Sequence, residues 1–207
     1  SVERTNARMS LTIRIALRAA IARLDAAGVD APASTARQLL SVATNRPREW
    51  LLAHDDETLP EAQARALETL LARVAAREPL AYVLGERGFH GLTLKIDPRA
   101  LIPRPETEML VDLALAAVRT LPAGAAVIDV GTGSGAAAIA IALGAPTARV
   151  IACDVSADAL SLARENAERL GARVSFVESD LLSNVPDLAP IVVANLPYVT
   201  REEIDML

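Results

Sequence analysis

The sequence predicts an open α/β sheet preceded by a small all-helical domain, with a β-hairpin connector between them. Three observations carry this. Apolar residues recur at helical spacing through residues 11 to 78, a glycine-punctuated alternating stretch runs from 80 to 104, and from 125 onward short apolar runs alternate with helix-length segments. Strands separated by helices of that length pair in parallel through right-handed crossovers. The expected organisation is a helical domain at 1–79, the connector at 80–104 and the α/β domain at 105–207. With 207 residues, 52% of them hydrophobic, the chain has material for one large core or two small ones.

Taken in order, Leu11, Ile15, Leu17, Ile21 and Leu24 mark a first helix, closed by Gly28 as its C-terminal cap. A second helix begins in "APASTARQLLSVAT", where Ser34 or Thr35 can cap and Ala36, Leu39, Leu40 and Ala43 share a face. The third, "LPEAQARALETLLARVAARE", has Pro60 and Glu61 in its first turn and stops before Pro79. Gly85, Gly88 and Gly91 then punctuate a hairpin with alternation through Leu92, Leu94 and Ile96. Residues 105 to 121 return to helix, with Met109, Leu110, Leu113, Ala114 and Ala117 apolar. The α/β part reads strand "AAVIDV", helix "SGAAAIAIALGA", strand "ARVIACDV", helix "SADALSLARENAERLGA", strand "RVSFVES" and strand "PIVVANL".

The net charge of −5 and pI of about 5.1 argue against a whole-surface grip on nucleic acid, so direct nucleic-acid binding is not expected and protein or small-molecule partners are. A single cysteine, Cys153, excludes an internal disulfide framework and a cysteine-rich metal site, and suits a reducing, cytoplasmic compartment. Its plainest role is a small buried hydrophobe at a strand end. Arg14 and Arg18 interrupt the apolar residues of the N-terminal segment, which therefore reads as an amphipathic helix rather than a signal peptide. Met9 makes a natural start, with residues 1–8 as a leader. No uncharged apolar run of about 18 residues exists, so no membrane span is expected. Abundant Ala and Arg with scarce Lys suggest a GC-rich, bacterial genome.

In an open α/β sheet the ligand crevice lies beyond the carboxyl ends of the strands, where strand order reverses. The first strand of the sheet ends there in "DVGTGSG". Gly131, Gly133 and Gly135 can adopt positive φ and let a ligand approach the backbone, with Thr132 and Ser134 between them, and the following helix offers unpaired amides. A tight turn with nothing bound is the bland alternative. Gly131, Gly133 and Ala136 also satisfy a loose dinucleotide fingerprint, which keeps a nicotinamide enzyme open, and Asp154, 23 residues past Gly131, can take ribose hydroxyls in either case. Two features favour S-adenosylmethionine: Asp129, which can organise the loop or meet the cofactor's amino-acid end, and "ESDLL", where Asp180 can bond the adenine amine and Leu181 can pack on its ring.

The fourth strand delivers Asn195, Leu196, Pro197 and Tyr198 to the same edge. Transfer of a methyl group to an amide or aromatic amine is an in-line displacement by a nucleophile whose lone pair is delocalised, so positioning matters greatly. The Asn195 side-chain oxygen and the Leu196 carbonyl can accept both hydrogens of a planar NH2 group and stabilise charge developing on nitrogen. Pro197 stiffens the backbone and Tyr198 can stack on the planar group. A strand-ending turn with a packing tyrosine is the alternative.

These motifs resemble amino-methyltransferases of the Asn-Pro-Pro-Tyr class. More specifically, "PLAYVLGERGFHGLTLKIDPRALIPRPETEMLVD", "VIDVGTGSGAAAIAIAL", "CDVSADALSLARENAERLG", "ESDLL" and "VVANLPYV" are similar to those of the release-factor glutamine methyltransferases, the HemK/PrmC family, over about residues 10 to 207. The resemblance implies a Rossmann-like class I methyltransferase sheet and a helical domain that docks peptide chain release factors. It implies methylation of the glutamine amide in their Gly-Gly-Gln loop, with S-adenosylmethionine as donor and S-adenosylhomocysteine as product, by a monomer that uses no metal. On that model Gly131 to Gly135, Asp154, Leu181 and Asn195 contact the cofactor and Asn195 to Tyr198 clasp the glutamine, while Arg104, Glu106 and Thr107 of "IPRPETE" face the site. Leu196 departs from the family's proline. Asn-Leu-Pro-Tyr also occurs in adenine methyltransferases acting on ribosomal RNA, so an adenine amino-methyltransferase for RNA or DNA is the alternative, and a cofactor- or protein-binding remnant without activity is a third. Only nine residues follow Tyr198, where such a sheet normally continues, so the sequence is expected to be a fragment with little activity alone.

Overall fold

In a computed structural model, residues 11–186 and 188–196 are described. The chain divides into two compact units, Ser1–Leu84 and Gly85–Leu207. The first is helical: α1 (Ile13–Ala26), α2 (Pro32–Thr44), α3 (Arg48–Ala53), α4 (Glu61–Ala75) and α5 (Leu80–Leu84). Its core gathers Ile13, Leu24, Leu39, Leu40, Leu67, Leu71 and Val74 among others. Thr12 caps α1 by accepting the Ile15 N–H, and Gly28, at φ +65°, ends it.

Several local expectations are corrected. The buried stripe of α1 is Ile13, Ala16, Ala20 and Leu24, whereas Leu11 and Ile15 are exposed; small alanines take the inner face because they let α2 approach closely. α2 has no side-chain cap: it starts at Pro32, before Ser34 and Thr35, because proline pre-sets the helical φ at the first position, and Thr35 is buried instead. The connector expected from residue 80 begins with helix α5, whose Tyr82 and Val83 N–H groups donate to the Pro79 carbonyl.

The second unit opens with the antiparallel hairpin β1 (Glu86–Phe89) and β2 (Leu92–Lys95), turned by His90 and Gly91, both at positive φ. Helix α6 (Glu106–Val118) precedes β3 (Ala126–Val130), α7 (Ala136–Gly144), β4 (Arg149–Asp154), α8 (Ala157–Leu170), β5 (Val174–Glu178) and β6 (Ile191–Ala194). The sheet is parallel, in the order β5-β4-β3-β6. The chain winds outward from β3 through β4 to β5 and then crosses to the other side of β3. Strand order therefore reverses between β3 and its two neighbours, as in a Rossmann-like sheet. β3 is buried along its whole length, and α7 is apolar all round because it is buried as well.

One buried side chain ties the hairpin to the sheet layer. The Asn166 amide on α8 accepts the Lys95 N–H at 2.7 Å and donates to the carbonyls of Lys95 and Ser134, both at 3.0 Å. Three backbone groups are satisfied by one residue that is itself fully buried. Around it Arg99 pairs with both Asp97 and Glu165, and Lys95 pairs with Glu165, which holds the Glu165 carboxyl down at about 2. Among the described residues no helix is long and apolar enough to cross a membrane, and no cluster of His, Cys, Asp or Glu could hold a metal ion.

Candidate active site

A cavity of about 540 Å3 opens at the carboxyl ends of β3, β4 and β6. It is lined by the glycine loop, by Asp129, Asp154, Asp180 and Leu181, by Asn195 and Leu196, and by Arg99 to Arg104 and Thr107.

The loop is held from the neighbouring strand β4. Gly131 and Thr132 N–H groups donate to the Cys153 carbonyl at 2.8 and 3.0 Å, and Gly133 N–H donates to Asp154 Oδ2 at 2.9 Å. Gly131 sits at φ +69°, and a Cβ on it would meet the Leu196 side chain at 2.5 Å; Gly135, at φ +83°, would meet Ile139 and Ala163. Glycine is thus required at both positions by the left-handed backbone, and at Gly135 also by packing, because the Ala163 backbone stands 3.3 Å from where a Cβ would be. Among the described residues Ser134 Oγ is buried with no hydrogen-bond partner.

Asp129 is buried at the end of β3, where Oδ2 accepts from Thr132 Oγ1 at 2.7 Å and from Ala138 N–H at 3.2 Å. Burial pushes its carboxyl up to about 6, against those two hydrogen bonds, which favour the charged form. Asp154 accepts Gly133 N–H on one oxygen and Ser156 N–H, at 3.0 Å, on the other, so it shapes the loop and still lines the cavity. Leu181 is a non-glycine residue at φ +49° with its side chain 56% exposed, a strained backbone that turns an apolar surface into the cavity. Its carbonyl accepts the thiol of the fully buried Cys153 at 3.2 Å, and Asp180 beside it is exposed.

The fourth strand brings Asn195 to the same mouth, where Nδ2 donates to Thr107 Oγ1 at 2.5 Å. Thr107 lies in the first turn of α6 and is buried. Of the expected connector residues, Arg104 and Thr107 line the cavity, and Glu106 does not. Pro197 and Tyr198 lie outside the described residues. Sequence reasoning missed Asn166, Ser156, Arg99 and the run Ala100 to Pro103; only Ser156, the first residue after "CDV", carried a readable signal, as a helix cap.

Residues 16–85 match the PrmC N-terminal domain, and residues 108–206 match the methyltransferase small domain. The chain is 45% identical over 174 residues to the release factor glutamine methyltransferase of Bordetella pertussis, covering 83% of this chain and 64% of that protein. It is 42% identical over 198 residues to that of Vibrio cholerae, with 94% and 68% covered. To that of Deinococcus radiodurans it is 44% identical over 191 residues, with 91% and 68% covered. The chain belongs to the release factor glutamine methyltransferase family. It spans about two thirds of the length of these relatives. The match to Vibrio cholerae over 94% of the chain brings the glycine loop and the "IPRPETE" segment under one family resemblance, which a nicotinamide enzyme does not account for.

Proposed function

We propose that the full-length protein transfers a methyl group from S-adenosylmethionine to the side-chain amide nitrogen of the glutamine in the Gly-Gly-Gln motif of peptide chain release factors, leaving S-adenosylhomocysteine. The observation that carries this reading is the Asn195 amide, whose nitrogen is engaged by Thr107 at the mouth of the glycine-loop cavity. That leaves the Asn195 oxygen as the acceptor turned to a substrate NH2 group. Family membership favours a glutamine amide over an adenine amine as the group it receives.

The cavity residues suit the cofactor. A volume of about 540 Å3 falls within the range usual for such ligands, about 300–1,000 Å3. The unpartnered Ser134 hydroxyl calls for a polar ligand atom, and the Gly131–Gly135 loop at the start of α7 suits a carboxylate. Asp154 would take the ribose hydroxyls, Asp180 the adenine amine and Leu181 the adenine face. Asp129 acts through the loop by fixing Thr132 and the first turn of α7. When bound, the cofactor supplies an electrophilic methyl group on a sulfonium.

The chain's own part is to hold the nucleophile. Asn195 Oδ1 and the Leu196 carbonyl accept the two hydrogens of the planar amide, aim its lone pair into the cavity and stabilise the positive charge that develops on nitrogen before a proton leaves. Pro197 and Tyr198 are assigned the stiffening and stacking roles. Because release factors work in translation, the reaction belongs in the cytoplasm. Mass spectrometry of a release factor incubated with the full-length protein and the methyl donor tests the proposal: one added methyl group on the Gly-Gly-Gln peptide supports it, and binding of NADH in place of S-adenosylmethionine by calorimetry rejects it.

A further inference from the structure

Three carboxyl groups line the cavity, those of Asp129, Asp154 and Asp180, against two guanidiniums, those of Arg99 and Arg104. Arg99 is committed, since it pairs with Asp97 and with Glu165 at 2.7 Å each. Arg104 is exposed and, among the described residues, forms no ion pair. Its carbonyl accepts the Thr107 N–H at 3.1 Å, and Thr107 Oγ1 accepts from Asn195 at 2.5 Å. These two bonds tie Arg104 to the β6 side of the mouth, whereas Asp180 and Leu181 follow β5 at the opposite edge of the sheet. The glycine loop has little left to offer an anion. The N–H groups of Gly131 and Thr132 donate to the Cys153 carbonyl, that of Gly133 to Asp154 and that of Gly135 to the Thr132 carbonyl. The Ser134 hydroxyl and the start of α7 remain, and neither carries a full charge.

We propose that Arg104 binds the α-carboxylate of the methionine part of S-adenosylmethionine. The proposal rests on the reading that this donor occupies the cavity with its adenine at Asp180 and Leu181. That orientation sends the amino-acid end toward β3 and β6, the side on which Arg104 stands. A carboxylate entering a cavity lined by three carboxyl groups meets like charge. A guanidinium on the rim offsets this, and its fork matches a carboxylate in two parallel hydrogen bonds. The pairing also makes the site selective: an adenosine thioether without an amino-acid tail gains nothing from Arg104. The protein substrate is the competing partner. The donor is favoured because its carboxylate is always present, whereas the Gly-Gly flank of the substrate glutamine carries no charge.

The test is calorimetric titration of the full-length protein and its Arg104→Gln variant with two ligands. One is S-adenosylhomocysteine, and the other is methylthioadenosine, which keeps the adenosine and the thioether but has no amino-acid tail. Loss of the guanidinium should raise the Kd for S-adenosylhomocysteine about 10-fold and leave that for methylthioadenosine within about 2-fold of the parent. The unchanged second ligand reports that the variant pocket is folded. Arg104→Lys, which keeps the charge without the fork, should recover part of the loss. Equal weakening of both ligands overturns the proposal, because it makes Arg104 a support of the pocket wall. Unchanged binding of S-adenosylhomocysteine overturns it as well, and a raised KM for the release factor would then give Arg104 to the protein substrate. A parent protein that binds NADH and not S-adenosylhomocysteine removes the underlying reading, and the proposal falls with it.

Discussion

Asn195, after the last strand of the sheet, donates its amide N–H to the hydroxyl of Thr107, in the first turn of a helix 88 positions earlier, at 2.5 Å. This bond fixes which end of the Asn195 amide faces the cavity. Thr107→Val keeps the shape of the side chain and removes the acceptor, so kcat should fall about 10-fold as the amide becomes free to rotate, while the KM for the methyl donor stays put. Thr107→Ser should restore kcat. Steady-state kinetics of the three proteins check this, and a serine variant as slow as the valine one would contradict the positioning role.

Asn195→Ala removes the proposed acceptor, and kcat should drop about 100- to 1,000-fold with S-adenosylmethionine binding reduced only modestly. Leu196→Pro should preserve transfer, because the proposed contact there is a backbone carbonyl. The Leu196 side chain also packs where a Cβ on Gly131 would stand. Single-turnover methylation assays of both variants test the pair, and an inactive Leu196→Pro protein with intact donor binding would count against the carbonyl contact.

Asp129 gives the stability a definite pH dependence. Folding raises its carboxyl to about 6, so the folded state holds the proton more tightly than the unfolded chain. That contribution is full below the unfolded value and is lost as pH rises through about 6. Asp129→Asn abolishes it. Between pH 4.5 and 7.5 the stability of the asparagine variant relative to the parent should therefore improve by about 2 kcal/mol, measured by guanidinium unfolding. A pH-independent difference would show that Asp129 titrates normally in the folded protein.

Asn166→Ala leaves the Lys95 N–H and the Lys95 and Ser134 carbonyls without their buried partner. A loss of about 3 kcal/mol in urea unfolding is expected, well above the effect of an alanine at an exposed position of the same helix. A change under 1 kcal/mol would mean that water takes over these groups.

Much of the α/β unit was legible because its signals are local. Each of the six element spans read from residue 125 onward contains the helix or strand found there, since apolar runs, Ser156 as cap and Gly171 as terminator act within a few residues. Positive φ through Gly131, Gly133 and Gly135 follows from the same local logic. The errors arose where tertiary packing chose among local options. On α1 the inner face went to alanines rather than to Leu11 and Ile15. On α6 the apolar Met109 and Leu113 are exposed while Thr107 is buried. Asn166 reads in sequence as an ordinary polar helix position, and its role exists only because the hairpin and the glycine loop converge on it. The bond between Thr107 and Asn195 was hidden for the same reason: nothing near either residue announces the other.

The central claim is that the Asn195 clamp serves a glutamine amide. The most direct measurement gives the full-length protein radiolabelled S-adenosylmethionine together with a release factor, ribosomal RNA and DNA, and follows where the label goes. The account predicts label in the release factor alone, on a single glutamine, and none with Asn195→Ala. Label in RNA or DNA with the release factor unmodified would contradict it.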